Sequence, residues 1–133
     1  MSSKISGKIF YPVIAPEGEE EALNLVSNRT IYFDELINSR KGQAEQFVVL
    51  GAGFDTRCYG LLKASHLRLF ELDQSATQQL KIQQLNNAQV DCSSVTFAEA
   101  DFTKKDWFQR LEEAGYDPSK KTIFLWEGVT LYL

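Results

Sequence analysis

Four short apolar runs recur along the chain after residue 46, and each ends at glycine or at acidic residues. The first is continuously apolar and contains two valines, which is typical of a strand buried on both faces, as in a parallel sheet. The runs predict four strands: Phe47–Leu50, Leu67–Asp73, Ser94–Ala98 and Lys121–Trp126.

Segments with helical features lie before and between these strands. Glu17–Arg40 begins with several glutamates, whose charge the helix dipole favours, and it carries an apolar stripe at helical spacing. Shorter helices are predicted over Arg57–Leu62, Gln74–Ala88 and Lys104–Ala114, and we expect the glutamine-rich Gln74–Ala88 to lie at the surface. The predicted stripe of the first helix consists of Ala22, Val26, Phe33 and Ile37.

Strands that alternate with helices indicate an α/β fold with a parallel sheet. The 133 residues suffice for one domain. Within it we expect residues 1–40 to form an N-terminal extension and helix, and residues 41–133 to form the sheet and its helices.

A glycine turn, Gly51–Asp55, follows the first strand. Glycines let a backbone approach a ligand closely, and a helix beginning at Asp55 or Thr56 would present free N–H groups to it. The dinucleotide fingerprint requires a third glycine where Thr56 stands, and a P-loop requires a Gly-Lys-Ser/Thr sequence that this chain lacks. The turn therefore favours a nucleoside ligand without a pyrophosphate. The alternative is a turn that only packs a strand against a helix.

Acidic residues end the second strand and follow the third. Asp73 lies 20 residues after Gly53, near the spacing at which a carboxylate binds ribose hydroxyls, and Glu71 is the competing candidate. Asp101 can accept from an exocyclic amine, and Phe102 can flank a purine ring. The alternatives are that Asp73 caps the following helix and that Asp101 only caps its own turn.

Arg29 lies on the predicted apolar face of the first helix, three residues after Val26 and four before Phe33. A charged group on such a face needs a partner or a ligand. The alternative is that its stem packs while its guanidinium reaches solvent.

The carboxyl ends of parallel strands meet at one edge of the sheet, where open α/β folds bind ligands. The fourth of these ends carries Glu127 and Gly128. Taken together, the residues at the four strand ends are acidic and aromatic and include no phosphate-binding lysine. S-adenosylmethionine suits such a set, because it has a ribose, an adenine and a positive charge but no phosphate.

Composition narrows the functional classes further. The net charge of −4 argues against nucleic acid as a partner. Two cysteines and a single histidine supply neither a zinc site nor a Ser-His-Asp triad, so we expect no metal and name no catalytic residue. No signal peptide or membrane span is apparent, so we expect a cytoplasmic protein that has no membrane partner.

These motifs together resemble the leucine carboxyl methyltransferase family of S-adenosylmethionine-dependent enzymes. The resemblance extends over nearly all of the chain after Glu17 and is most specific in the Gly-Ala-Gly-Phe-Asp-Thr-Arg block and the final Glu-Gly-Val-Thr. The matching segments are Arg29–Asp34, Val49–Arg57, Leu69–Asp73, Val95–Phe102 and Trp126–Leu133.

The resemblance implies a Rossmann-like class I methyltransferase fold with an N-terminal helical extension. It also implies truncation after the fourth parallel strand, because members of the family continue into further strands and a substrate-binding lid. Gly51 and Gly53 would lie against the methionine part of the cofactor, and Arg29 would bind its carboxylate. The implied cofactor-binding set is Arg29, Gly51, Ala52, Gly53, Asp55, Glu71, Asp73, Asp101, Phe102 and Glu127.

The expected reaction is O-methyl transfer to a carboxylate or a hydroxyl on a small molecule or a protein. The uncovered edge of the fourth strand would invite self-association. Two alternatives stay open at this point. One is a module that binds the cofactor without turnover, and the other is half of an NAD(P)-dependent oxidoreductase, against which the missing third glycine counts.

Overall fold

The structure, a computed structural model, describes the backbone of residues 19–127 and the side chains of residues 28–127. Its strands form one parallel sheet in the order β3-β2-β1-β4. This confirms the α/β fold, and each predicted strand agrees with the observed one to within one residue at either end. The elements are α1 (Glu19–Arg40), β1 (Gln46–Leu50), β2 (Arg68–Asp73), α2 (Ser75–Asn87), β3 (Val95–Glu99), α3 (Trp107–Glu113) and β4 (Thr122–Trp126).

Strand β1 is buried along its whole length because side chains cover both faces of the sheet. On one face, Phe47 belongs to a core cluster with Phe33 and Ile37 of α1. On the other face, Val48 belongs to a second cluster with Leu111 of α3. These two layers explain why the β1 sequence is continuously apolar.

The predicted stripe of α1 is confirmed at Phe33 and Ile37, which are both buried. The side chains of Ala22 and Val26 lie outside the described part of the chain, as do the predicted helix start at Glu17 and all residues after Glu127. The division of the chain at residue 40 stays a prediction.

Two predicted helices differ from the structure. In place of a helix over Arg57–Leu62 there is a single 3-10 turn, Arg57–Tyr59, followed by further turns. Helix α3 begins three residues later than predicted, because Thr103 donates both its N–H and its hydroxyl to Asp101 and so belongs to the turn before the helix.

The sequence of connections sets the position of the ligand site. From β1 the chain adds β2 and β3 on one side and then returns to add β4 on the other side of β1. Open α/β sheets bind ligands beside such a switch in strand order, outside the carboxyl ends of the strands. The site is therefore expected above the carboxyl end of β1.

Within residues 19–127, β4 has a partner strand only on its β1 side. An apolar groove of about 540 Å³ runs beside it, lined mainly by α1 and β4 side chains such as Leu36 and Ile123. The groove holds none of the predicted site residues. Self-association through this edge stays a prediction.

Among the helices of residues 19–127, none is long and apolar enough to cross a membrane.

Candidate functional site

A cleft of about 830 Å³ lies at the carboxyl ends of the strands. Helix α1, the glycine turn, the end of β2, the segment after β3 and the end of β4 all contribute to its walls. Eight of the ten predicted site residues line it: Arg29, Gly51, Ala52, Gly53, Asp55, Asp73, Phe102 and Glu127.

The glycine turn folds back onto β2. The N–H groups of Gly51 and Ala52 donate to the carbonyl oxygen of Leu72 at 2.8 and 3.0 Å. Gly51 and Gly53 have φ values of 65° and 48°, in the left-handed region that favours glycine. The turn thus lines the cleft with backbone and little side chain.

Replacement of Gly53 by alanine is expected to destabilise the fold by about 1–2 kcal/mol, the usual cost of a left-handed conformation for a residue with a Cβ. Space is not the reason, because the nearest atom to an added Cβ is the Gly51 carbonyl oxygen at 4.0 Å. Thermal denaturation measures the loss. Gly42→Ala is the matched control, since a Cβ there meets nothing within 4 Å and no left-handed φ is involved. Equal melting temperatures for the two variants would contradict this explanation.

Asp73 joins the end of β2 to the glycine turn. Its Oδ2 accepts the N–H of Gly53 at 2.6 Å, and its Oδ1 accepts the N–H of Gln74 at 2.8 Å. The N-cap position of α2 belongs to Gln74 and not to Asp73. A carboxylate has about four lone-pair sites, so both oxygens of Asp73 retain capacity for ligand hydroxyls.

A network of charges links α1, the glycine turn and the end of β4. Arg57, only 9% exposed, donates from Nε to Asp34 at 2.7 Å and from Nη1 to both Asp55 and Glu127. Burial alone would lower the pKa of Arg57, but the three carboxylates outweigh it and raise this pKa. The other oxygen of Glu127 lies 2.7 Å from Nε of Arg29. The protein itself therefore supplies the partner that Arg29 was expected to need.

Asp101 and Phe102 separate in the structure. Asp101 lies outside the cleft lining, and its Oδ1 accepts the hydroxyl and the N–H of Thr103 at 2.6 and 3.0 Å. These bonds lower the pKa of Asp101. Its contacts match the alternative in which it caps its own turn. Phe102 lines the cleft and lies 5.9 Å from the ring of Trp107, which steadies it.

Glu71 also lies outside the cleft lining. It is 1% exposed and shares a face of the sheet with Val49, its register partner on β1. Its carboxylate pairs with the ammonium group of Lys81 at 2.8 Å. Of the two carboxylates on β2, only Asp73 therefore faces the cleft.

Lys81 and Gln78 were missed by sequence reasoning, which predicted that their helix lies at the surface. Both are buried in α2. Gln78 donates to the carbonyl oxygen of Ala98 at 3.0 Å, and Lys81 donates to the carbonyl oxygen of Asp55 at 2.7 Å. The buried face of α2 is polar, so the apolar periodicity that would have indicated burial is missing.

Comparisons with known proteins agree with this geometry. A family model described as "Leucine carboxyl methyltransferase" matches residues 13–133. A protein of Mycobacteroides abscessus named "Putative S-adenosyl-L-methionine-dependent methyltransferase" is 33% identical over 106 residues, which are 79% of this chain and 35% of that protein. A protein of the same name from Mycolicibacterium gilvum is 31% identical over 119 residues, 87% of this chain and 40% of that protein. The matched segment thus spans little more than a third of these curated relatives.

Proposed function

The chain belongs to the leucine carboxyl methyltransferase family, and we propose that its cleft binds S-adenosylmethionine for methyl transfer to an oxygen acceptor. The observation that carries the proposal is the contact between Asp73 and the N–H of Gly53. It places a carboxylate at the glycine turn, where a ribose can bind the carboxylate while the adjoining part of the ligand lies against backbone.

The charges of the cleft favour a cationic ligand. Its described lining contains four carboxylates, Asp34, Asp55, Asp73 and Glu127, against the two guanidinium groups of Arg29 and Arg57. The same described lining includes no lysine, the usual partner of a transferable phosphate. A sulfonium-bearing nucleoside fits this balance better than NAD(P), which carries a pyrophosphate.

Arg29 and Glu127 fit the methionine part of the cofactor. They lie side by side with side-chain exposures of 20% and 14%, so the pair is open to the cleft. The methionine part of the cofactor carries a carboxylate and an ammonium group on the same carbon atom, so its two charged groups are also close together. Arg29 would bind the carboxylate and Glu127 the ammonium group, each exchanging its present partner for one on the ligand.

Phe102 would supply a face for the adenine ring. It lies in the cleft lining, and the ring of Trp107, tilted by 53° to it, packs beside it. The adenine hydrogen bond expected from Asp101 would require Asp101 to break its hydrogen bonds with Thr103. Phe102 is therefore the stronger candidate for contact with the adenine ring.

A carboxylate acceptor suits the residues of the site. The cofactor supplies an activated methyl group, and a carboxylate oxygen is already nucleophilic at neutral pH, so the acceptor needs no general base. No histidine occurs among the described lining residues, and a hydroxyl acceptor would have only carboxylates to accept its proton. The protein would contribute chiefly alignment, which supplies about 7–11 kcal/mol in favourable cases.

A second candidate is a segment that binds the cofactor without turning it over. The observation that favours it is the short match, since the chain aligns with 35% of the length of its Mycobacteroides abscessus relative. A methyl acceptor site could depend on the remaining part of such proteins. Turnover assays on this chain and on a full-length relative would separate the two functions.

Calorimetric titration of the chain tests the proposal. We expect micromolar binding of S-adenosylmethionine and S-adenosylhomocysteine and no binding of NAD, because the described lining of the cleft is acidic and includes no lysine. Circular dichroism establishes that the chain is folded before each titration. Binding of NAD in preference to both adenosyl ligands would overturn the assignment.

A further inference from the structure

The pair of Glu71 and Lys81 lies in the core, outside the lining of the cleft. The two residues are 1% and 4% exposed, and the ammonium nitrogen of Lys81 lies 2.8 and 2.9 Å from the two oxygens of Glu71. Tyr59 covers this nitrogen, with its ring centroid 5.3 Å away. The pair thus buries two full charges among aromatic and aliphatic side chains.

Such a pair is a poor device for stability alone. Removal of two charges from water costs several kcal/mol per ion, and well-packed apolar residues of similar volume often stabilise a fold at least as well. Burial accordingly raises the pKa of Glu71, although the charge of Lys81 opposes the rise. The arrangement calls for a role that an apolar pair could not fill.

The third contact of Lys81 supplies such a role. Its ammonium group donates to the carbonyl oxygen of Asp55 at 2.7 Å. Asp55 ends the glycine turn, and its N–H donates to the carbonyl oxygen of Ala52 at 2.8 Å. Lys81 therefore holds the end of the turn, whereas Asp73 holds its middle through Gly53.

The two carboxylates of β2 thus act on the same turn at two different points. Asp73 binds the turn directly, and Glu71 acts through Lys81. We propose that Lys81 is a positioning residue, which fixes the glycine turn in its ligand-binding conformation through the Asp55 carbonyl, and that Glu71 fixes Lys81. The inference rests on the proposed function, because the ligand in question is S-adenosylmethionine.

The double variant Glu71→Leu/Lys81→Met tests this role. It removes both charges together, so no unpaired charge stays buried and the melting temperature should change little. Affinity for S-adenosylmethionine should nevertheless fall about tenfold, the equivalent of one lost hydrogen bond from a charged group. Tyr59→Phe is the matched control, since it alters the same buried region without touching the Asp55 carbonyl, and it should bind as the parent chain does.

Amide hydrogen exchange supplies a readout that a purely structural role would not produce. In the double variant, the amides of Gly53 and Asp55 should exchange faster, while those of β1 keep their rates. Glu71→Gln leaves the buried Lys81 ammonium group without its carboxylate, so it should lower the melting temperature. Because Glu71 fixes Lys81, this variant should also weaken affinity and quicken exchange in the turn, but by less than the double variant. If the double variant does not fold, Glu71→Gln/Lys81→Met replaces it, because a neutral polar group at position 71 tolerates the loss of the lysine.

Unchanged affinity and unchanged turn exchange in the folded double variant would overturn the inference. A parent chain that binds none of the adenosyl ligands would instead overturn the proposed function. In that event the exchange rates still decide whether Lys81 holds the turn, so the two failures are distinguishable.

Discussion

Replacement of Asp73 by alanine is expected to weaken the binding of S-adenosylmethionine by about 100-fold, or roughly 3 kcal/mol. Two losses add to this effect. The ribose would lose a charged acceptor, and the N–H of Gly53 would lose its 2.6 Å bond, so that the glycine turn is no longer held at its middle. Calorimetric titration of the variant and the parent chain under identical conditions measures the change.

Asp73→Asn is the matched control. The amide oxygen of asparagine can keep the bond from Gly53, but it is a weaker acceptor for ribose hydroxyls than a carboxylate. We expect an intermediate loss of affinity and a nearly normal melting temperature, because the bond that asparagine gives up is the exposed one from the N–H of Gln74. Equal affinity in all three proteins would refute the ribose assignment.

Replacement of Arg57 by methionine is expected to lower the free energy of unfolding by about 3 kcal/mol, at the lower end of the range for breaking a buried ion pair. The variant would leave the carboxylates of Asp34, Asp55 and Glu127 close together with their common cation gone. The side chain of Asp34 is 38% exposed and can be hydrated once Arg57 is gone, so the expected loss of stability lies at the lower end of that range. Urea denaturation monitored by circular dichroism measures it.

Arg57→Lys keeps the charge but loses the planar fork that reaches three carboxylates, so it should recover only part of the stability. A methionine variant as stable as the parent chain would show that the carboxylates do not depend on Arg57.

The strands could be predicted from the sequence because burial on both faces of the sheet requires a continuous run of apolar residues. Phe47–Leu50 is apolar at every position, and each residue of it is buried. The glycine turn and Asp73 could be predicted as well, because their residue types and their spacing in the sequence are typical of a ligand site formed by two successive parallel strands. These features depend on few residues that are close in the chain.

The network around Arg57 could not be predicted in this way. Arg57 contacts Asp34, 23 residues before it, and Glu127, 70 residues after it. Nothing in the local sequence indicates that these residues meet. The carboxylate of Asp55 accepts two hydrogen bonds from Arg57, one from its backbone N–H and one from Nη1. Together they hold the backbone in a tight turn.

The buried face of α2 was missed for a different reason. Amphipathic patterns identify buried positions by their apolar side chains, whereas Gln78 and Lys81 are buried with their polar groups bonded to Ala98, Asp55 and Glu71. Strand alternation places Glu71 and Asp73 on the same face of the sheet, so the sequence could not decide which of the two lines the cleft. The partner of Glu71, Lys81, could be identified only from the structure.

The return of the chain from β3 to β4 has a consequence for synthesis on the ribosome. β1 is an interior strand of the described sheet, yet Gln46 pairs with Thr122, 76 residues further on, so a nascent chain can cover only one side of β1 until β4 emerges. Glu127, which joins Arg29 and Arg57, follows β4 directly. The described cleft therefore forms only after β4 has been made, and until then β1 presents an edge of unpaired backbone N–H and C=O groups to which chaperones can bind.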